Sequence, residues 1–187
     1  LFQNTTRTFD TFTVPRPTQY VLHFKKTAYN WLNFCRTLPP CYDERGREVS
    51  HTQFGEIYFS SEARRDTAML LADGKLMFVY WCAVGDDFHV AGWNFGGFPI
   101  DLTRFEESQN GASTALVKDL ESAMATATQF KLNAGRKVGN YNLAKCRHIT
   151  DRTDALFLKL LQLETVFDDL DLYYAQVVKT DFDDGED

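Results

Sequence analysis

Residues 131–150 read KLNAGRKVGNYNLAKCRHIT and bring together Lys131, Arg136, Lys137, Lys145 and Arg147 without one acid, in a chain of formal net charge -6. Cations at that density, set among glycines and asparagines, have the chemistry of polyanion binding: they neutralise phosphates and release counterions. The plain alternative is a solvated connection between packed elements. A second basic stretch lies nearer the N-terminus. KKTAYNW (25–31) sets Lys25 and Lys26 beside Tyr29 and Trp31, and Arg36, Arg45, Arg47 and His51 surround a turn that could enter a groove. Asn33 and Gln53 carry amides of the kind that reads adenine, and arginines are the kind that reads guanine. The same residues also suit an edge strand kept soluble by its cations.

Other chemistry fails on residue type or spacing. No strand–glycine–helix turn is present to approach S-adenosylmethionine. Leu38-Pro39-Pro40-Cys41 has leucine where an adenine-N6 methyltransferase needs an acceptor for the amino proton. Pro40-Cys41 is too common a dipeptide to mark a nucleophile. Asp73-Gly74-Lys75 has the closing spacing of a metal-dependent nuclease but no upstream Pro-Asp, so a glycine helix cap is the expectation there. Cys146-x-His148 supplies two ligands, short of a zinc site. The acid pairs Asp86/Asp87 and Asp168/Asp169 are adjacent and diverge on regular structure. No catalytic, metal or cofactor site is expected within this chain.

The elements that would position the basic residues follow from pattern. Residues 20–35 alternate and are aromatic, predicting strands, as does FGEIYFS (54–60). Residues 36–51 carry turn chemistry. SSEARRDTAMLLADG (60–74) predicts a helix capped by Ser60 or Ser61 and ended by Gly74. The run LMFVYWCAV (76–84) fits a buried helix or a buried strand. Residues 86–102 read as loop and short strand. Leu116, Leu120, Met124 and Ala127 predict one long helix over roughly 111–132. A helix over 150–164 would be capped by Thr150, and a last helix would span 167–179. The basic segment 131–150 then becomes an interhelical loop. The fold class expected is α+β: a mixed αβ unit over 1–105, with a small sheet and packed helices, then a mostly helical part over 106–187 with an acidic tail.

Hydrophobic content is 44%, enough for a real core. No apolar run is long enough to span a bilayer. The first residues lack the apolar stretch of a signal peptide and the four cysteines lack paired spacing, so a reducing, cytoplasmic setting is expected. Charge is uneven: residues 122–150 hold no acid, whereas Glu164–Asp187 holds one cation, Lys179.

The stretch 57–102 resembles the C-terminal target-recognition region of type II restriction–modification DNA adenine-N6 methyltransferases of the TaqI-like class. The resemblance rests on Phe59, Ser61, Glu62, Arg65, Ala68, Leu70 and Leu71, then LMFVYWCAVGDD, then Phe98-Pro99-Ile100-Asp101. It continues in VGNYNLAKCRHITDRTDALFLKLLQLE and FDDLDLYYAQVVK, and covers about 130 residues in order. The family's Asn-Ser after the helix is replaced by Asp73-Gly74. The resemblance implies a fragment that selects a DNA sequence, with an upstream domain of the parent binding S-adenosylmethionine and methylating adenine; the parent can also carry a nuclease. The start at Leu1 rather than Met fits that expectation. The implied partners are double-stranded DNA and the upstream methyltransferase domain, with no membrane. If the enzyme extrudes adenine, a wedge or stacking group is needed, and Tyr29 or Trp31 could serve. The other reading is a protein–protein scaffold module of the same complex that does not read DNA.

Overall fold

The computed structural model describes residues 7–28, 31–86, 88–109 and 112–178. The alternating N-terminal stretches form β1 (Thr13–Val14), β2 (Val21–Lys25), β3 (Phe34–Cys35), β4 (Cys41–Tyr42) and β5 (Phe54–Phe59). Five helices follow: α1 (Glu62–Ala72), α2 (Lys75–Val84), α3 (Gly92–Gly96), α4 (Leu102–Gln109) and α5 (Ala112–Thr126). Then come β6 (Thr128–Asn133), β7 (Arg136–Tyr141), α6 (Arg147–Leu161) and α7 (Phe167–Val177). The fold is α+β. One antiparallel sheet has the order β1-β5-β2-β3 and the other β4-β7-β6.

Ser61 caps α1 as its residue type dictates, its side chain accepting the Arg64 N–H at 3.3 Å. The apolar run that periodicity left open is helix α2. Between 86 and 102 the structure has helix α3 in place of the short strand. Phe95 on α3 enters the first sheet's core, its ring 5.1 Å from Phe24, 5.2 Å from Phe34 and 5.7 Å from Phe9. Aromatic edges set against ring faces in this way pack tightly and fix the orientation of a short helix.

Elements from both sides of residue 105 share one apolar core. Phe105 on α4 stacks on Phe157 of α6, with ring centroids 4.2 Å apart. Strand β4 from the first part pairs with β7 from the second, Cys41 opposite Val138 and Tyr42 opposite Lys137. No single helix among the described residues is long and apolar enough to cross a membrane; α1 and α2 would pass only as a pair, and they are bent by 68°.

Three boundaries differ from expectation. The helix over 111–132 stops at Thr126, because Thr128, Phe130 and Leu132 alternate and their backbone pairs with β7 from Thr128↔Tyr141 to Asn133↔Arg136. The helix formers Gln129, Lys131 and Leu132 yield to that pairing. Helix α6 begins at Arg147, so Thr150 is buried within the helix and not its cap. The third difference is Gly74. It is not a left-handed cap for α1: its φ is -85°, and it stands at the N-cap of α2.

The glycine is required by close approach. A Cβ at Gly74 would sit 2.3 Å from Asp154 Oδ1. Asp154, on α6, accepts the Lys75 N–H at 3.0 Å and the Leu76 N–H at 3.5 Å, so a carboxylate from a distant helix caps α2. Burial pushes its pKa up to about 6, although both N–H donors and Lys75 oppose the shift. Lys75 itself is 2% exposed and places Nζ 2.6 Å from Asp151 and 2.7 Å from Asp171. Asp73 accepts the Phe34 N–H at 2.8 Å, tying the end of α1 to β3. The triplet Asp73-Gly74-Lys75 is thus a three-way joint between β3, α6 and α7.

Gly74→Ala should cost about 1–3 kcal/mol, the range for forcing an extra carbon into packed space. Asp154 cannot swing aside without abandoning the α2 N-terminus. Chemical denaturation checks this; an unchanged midpoint would show that the joint tolerates the methyl group.

Candidate nucleic-acid interface

The basic segment that pattern left as a loop is the β6–β7 hairpin followed by the start of α6. Asn133-Ala134-Gly135-Arg136 closes the hairpin with φ of 48° at Ala134 and 77° at Gly135. Two successive positive φ values are the signature of the tight turn whose twist matches the paired strands. The hairpin carries Lys131, Arg136 and Lys137, all exposed, and no acid.

Pairing of β4 with β7 brings the other basic stretch to this hairpin. The turn after β4 is folded by Asp43, whose carboxylate accepts the N–H groups of Arg45 and Arg47, each at 2.9 Å, and Arg47 Nε at 2.8 Å. These donors, Arg47's backbone first, hold the Asp43 carboxyl below its ordinary range. Arg45 and Arg47 are left exposed beside the hairpin tip. The hairpin has two faces. One presents Lys131, Asn133, Arg136, Val138 and Asn140. It meets the loop before β5 in a cleft of 280 Å³ lined by Cys41, His51, Thr52, Gln53, Asn133 and Arg136 among others. Lys26 lies at the same end of the first sheet, its backbone N–H donating to Gln53 O at 2.9 Å.

Lys25 and His51 join the two sheets. Lys25 Nζ donates to Asn140 Oδ1, and His51 Nε2 sits 3.3 Å from the Gly139 carbonyl. Burial, with the nearby Lys131 charge, brings the Lys25 ammonium down to about 8. Burial likewise lowers His51, and the Lys25 charge adds to it. Desolvation disfavours the charged form of both groups, and the neighbouring cation adds to each shift.

The opposite face of the hairpin is apolar. Phe130 lies 6.1 Å from the Tyr42 ring, Lys137 Nζ stands 4.7 Å above Phe130, and Leu132 is 81% exposed. Leu132, Phe130, Tyr42 and Asn140 were not picked out from the sequence. The alternation Thr128-x-Phe130-x-Leu132 followed by Ala134-Gly135 was the available signal; it was masked because the same residues extend the spacing of α5.

Several sequence candidates are placed away from this edge. Trp31 is 7% exposed, and its Nε1 donates to Tyr141 O at 3.0 Å, so it cannot stack on a base. Asn33 is buried and donates to the same carbonyl at 2.9 Å. Arg36 is paired with the fully buried Asp66 at 3.2 Å and with Glu121 of α5, charges that must be neutralised inside the fold. Arg147 binds Asp171 and lies 5.8 Å from the Tyr174 ring, which locks α6 to α7. Lys145 lines a separate groove of 470 Å³ between α5 and α6, with Asp119 and His148. Tyr29, Asp87 and the acidic tail from 179 lie outside the described residues.

No group of three or more His, Cys, Asp or Glu among the described residues could hold a metal ion. Asp86 caps its own turn, accepting the His89 N–H at 2.7 Å. Asp168 and Asp169 sit in the first turn of α7, where negative charge suits the helix dipole. Burial raises the Cys146 thiol to about 12, which keeps it protonated.

The Lys25 shift has a definite pH signature. Its folded pKa of about 8 lies below the ordinary 10.5, so between these values the unfolded chain binds more protons than the folded one. Wild type should therefore gain stability relative to Lys25→Gln as pH rises from about 8 toward 10.5. Paired denaturation curves at several pH values test this; a constant difference would mean the ammonium is solvated as in water. No family model, curated protein or solved structure matches this chain.

Proposed function

We propose that this chain is the DNA-sequence-recognition part of a restriction–modification adenine-N6 methyltransferase, and that it grips duplex DNA with the β6–β7 hairpin and the β4 turn. In this reading an upstream domain of the parent, in the cytoplasm, binds S-adenosylmethionine and transfers the methyl group. The observation that carries the reading is the β4–β7 pairing, which joins two basic stretches separated by about ninety residues into one cation-bearing edge on an acidic protein. Arg45, Arg136 and Lys137 are exposed there, where phosphates would be neutralised, beside an Arg47 paired with Asp43. The cleft beside them offers Gln53, Asn133 and Arg136, side chains of the types that read base edges. None of the four cysteines is in a disulfide, in keeping with a reducing compartment.

The test compares wild type with Arg45→Ser/Arg136→Ser/Lys137→Ser, and with Lys118→Ser/Lys159→Ser on the helices as a control, in binding to duplex DNA across a salt series. The hairpin variant should bind more weakly at every sequence, and the slope of log affinity against log salt should fall by about 1 per cation removed. The helix variant should match wild type. Equal binding by all three proteins would move the contact elsewhere. Absence of salt-dependent binding by wild type would favour the scaffold reading.

A further inference from the structure

We infer that the hairpin enters the minor groove of the duplex, and that Leu132 is an apolar wedge that opens a base step there. This rests on the DNA-binding reading above. Four observations converge on the side chain.

Leu132 is 81% exposed on the strand just before the turn, and Phe130 on the same face is 40% exposed. Large apolar side chains side by side on a ribbon gain nothing from water. Their surroundings specify the occupant by charge. The charged side chains of the hairpin itself, Lys131, Arg136 and Lys137, are all cations, with Glu44 of the β4 turn the acid at its tip, and Lys137 lies directly across the ladder from Leu132. A hydrophobic protein partner would have to bury those charges; a nucleic acid supplies the phosphates for them and the stacked bases for leucine. The hairpin is also stiff. Its ladder is continuous from Thr128↔Tyr141 to Asn133↔Arg136, β4 braces it from the other edge, and Glu44 backs the tip so closely that a Cβ at Gly135 would lie 2.2 Å from its Oε1. A wedge must hold its place against the base stack, and a braced ribbon does so. Finally, Arg136 and Asn133 form the last pair of the ladder, one position beyond Leu132 and on the other face of the ribbon, so a hairpin entering a groove tip-first presents them to the wall opposite the leucine. Arginine is drawn to the negative potential of a narrow minor groove, asparagine reads its acceptors, and an inserted aliphatic side chain kinks the duplex toward the major groove.

Trp31 cannot fill this role, since its ring is inside the fold. Leu132 takes over the wedge function that sequence reasoning placed on aromatics.

The probe is a short duplex with 2-aminopurine beside TA steps, which unstack most easily, and a dye pair at its ends. Wild type, at saturation in low salt, should raise the 2-aminopurine fluorescence and shorten the end-to-end distance. Leu132→Ala removes no core contact, so it should fold normally and keep the salt slope of wild type while losing both signals. Two results would overturn the wedge: Leu132→Ala retaining the signals, or wild type bound in a salt-dependent way without them. Failure of wild type to bind at any salt would be a different result, one that removes the DNA-binding reading itself and the wedge with it.

Discussion

The fold turns on the burial of Lys75. An ammonium that is 2% exposed demands anions from the protein, and α6 and α7 supply Asp151 and Asp171. One turn along α6, Asp154 caps the backbone that begins at Lys75. Taking the Lys75 ammonium out of water is expensive, so such a joint is tolerable only when its carboxylate partners are in place. That requirement fixes the angle between α2, α6 and α7. It also explains Gly74 between the two charged residues, and the spacing of Asp151 and Asp154 on one face of a helix. Arg147 shares Asp171, which recruits a basic residue of the 131–150 stretch into the interior network.

The consequence for the surface is indirect but decisive. Because α6 is pinned by its acids, the chain entering it is pinned too, and β7 emerges where it can pair with β4. Trp31 and Asn33 both donate to the Tyr141 carbonyl, which holds the last residue of β7 against the first sheet. Residues that looked like base readers instead aim the hairpin. Ion pairs with Asp66, Glu121 and Asp171 hold Arg36 and Arg147 inside the fold's own network, whereas Arg45, Lys131, Arg136 and Lys137 are left exposed around the hairpin.

This sorting clarifies what a net charge of -6 means here. Some acids serve the helical joint, Asp66 lies beneath Arg36, Asp43 and Asp86 fold turns, and many of the rest fall after Glu164. Net acidity and a local basic edge coexist because the carboxylates answer to buried cations and helix ends. The apolar face of the hairpin is the one sizeable departure from this economy near the edge, with Leu132 and Phe130 on the solvent side.

Much of the architecture was legible in local chemistry. Ser61 announces α1, alternation announces β2 and β5, and the apolar stripe Leu116, Leu120, Met124 announces α5; each is a preference the chain expresses with near neighbours. Fold class follows from those elements. The hairpin was not legible, because Gln129, Lys131 and Leu132 suit a helix equally well and only the partner strand chooses between the two. Nor was the fate of the cations: Arg36 and Arg147 differ from Arg45 and Arg136 in nothing local, and what separates them is which carboxylates arrive from 24 to 85 residues away. By itself the sequence determined α1, α5, α6 and α7 to within their ends, the strands β2, β3 and β5, and the existence of two basic stretches. Tertiary structure alone decided that those stretches meet, because pairing of β4 with β7 and neutralisation of buried charge are contacts between residues far apart in the chain.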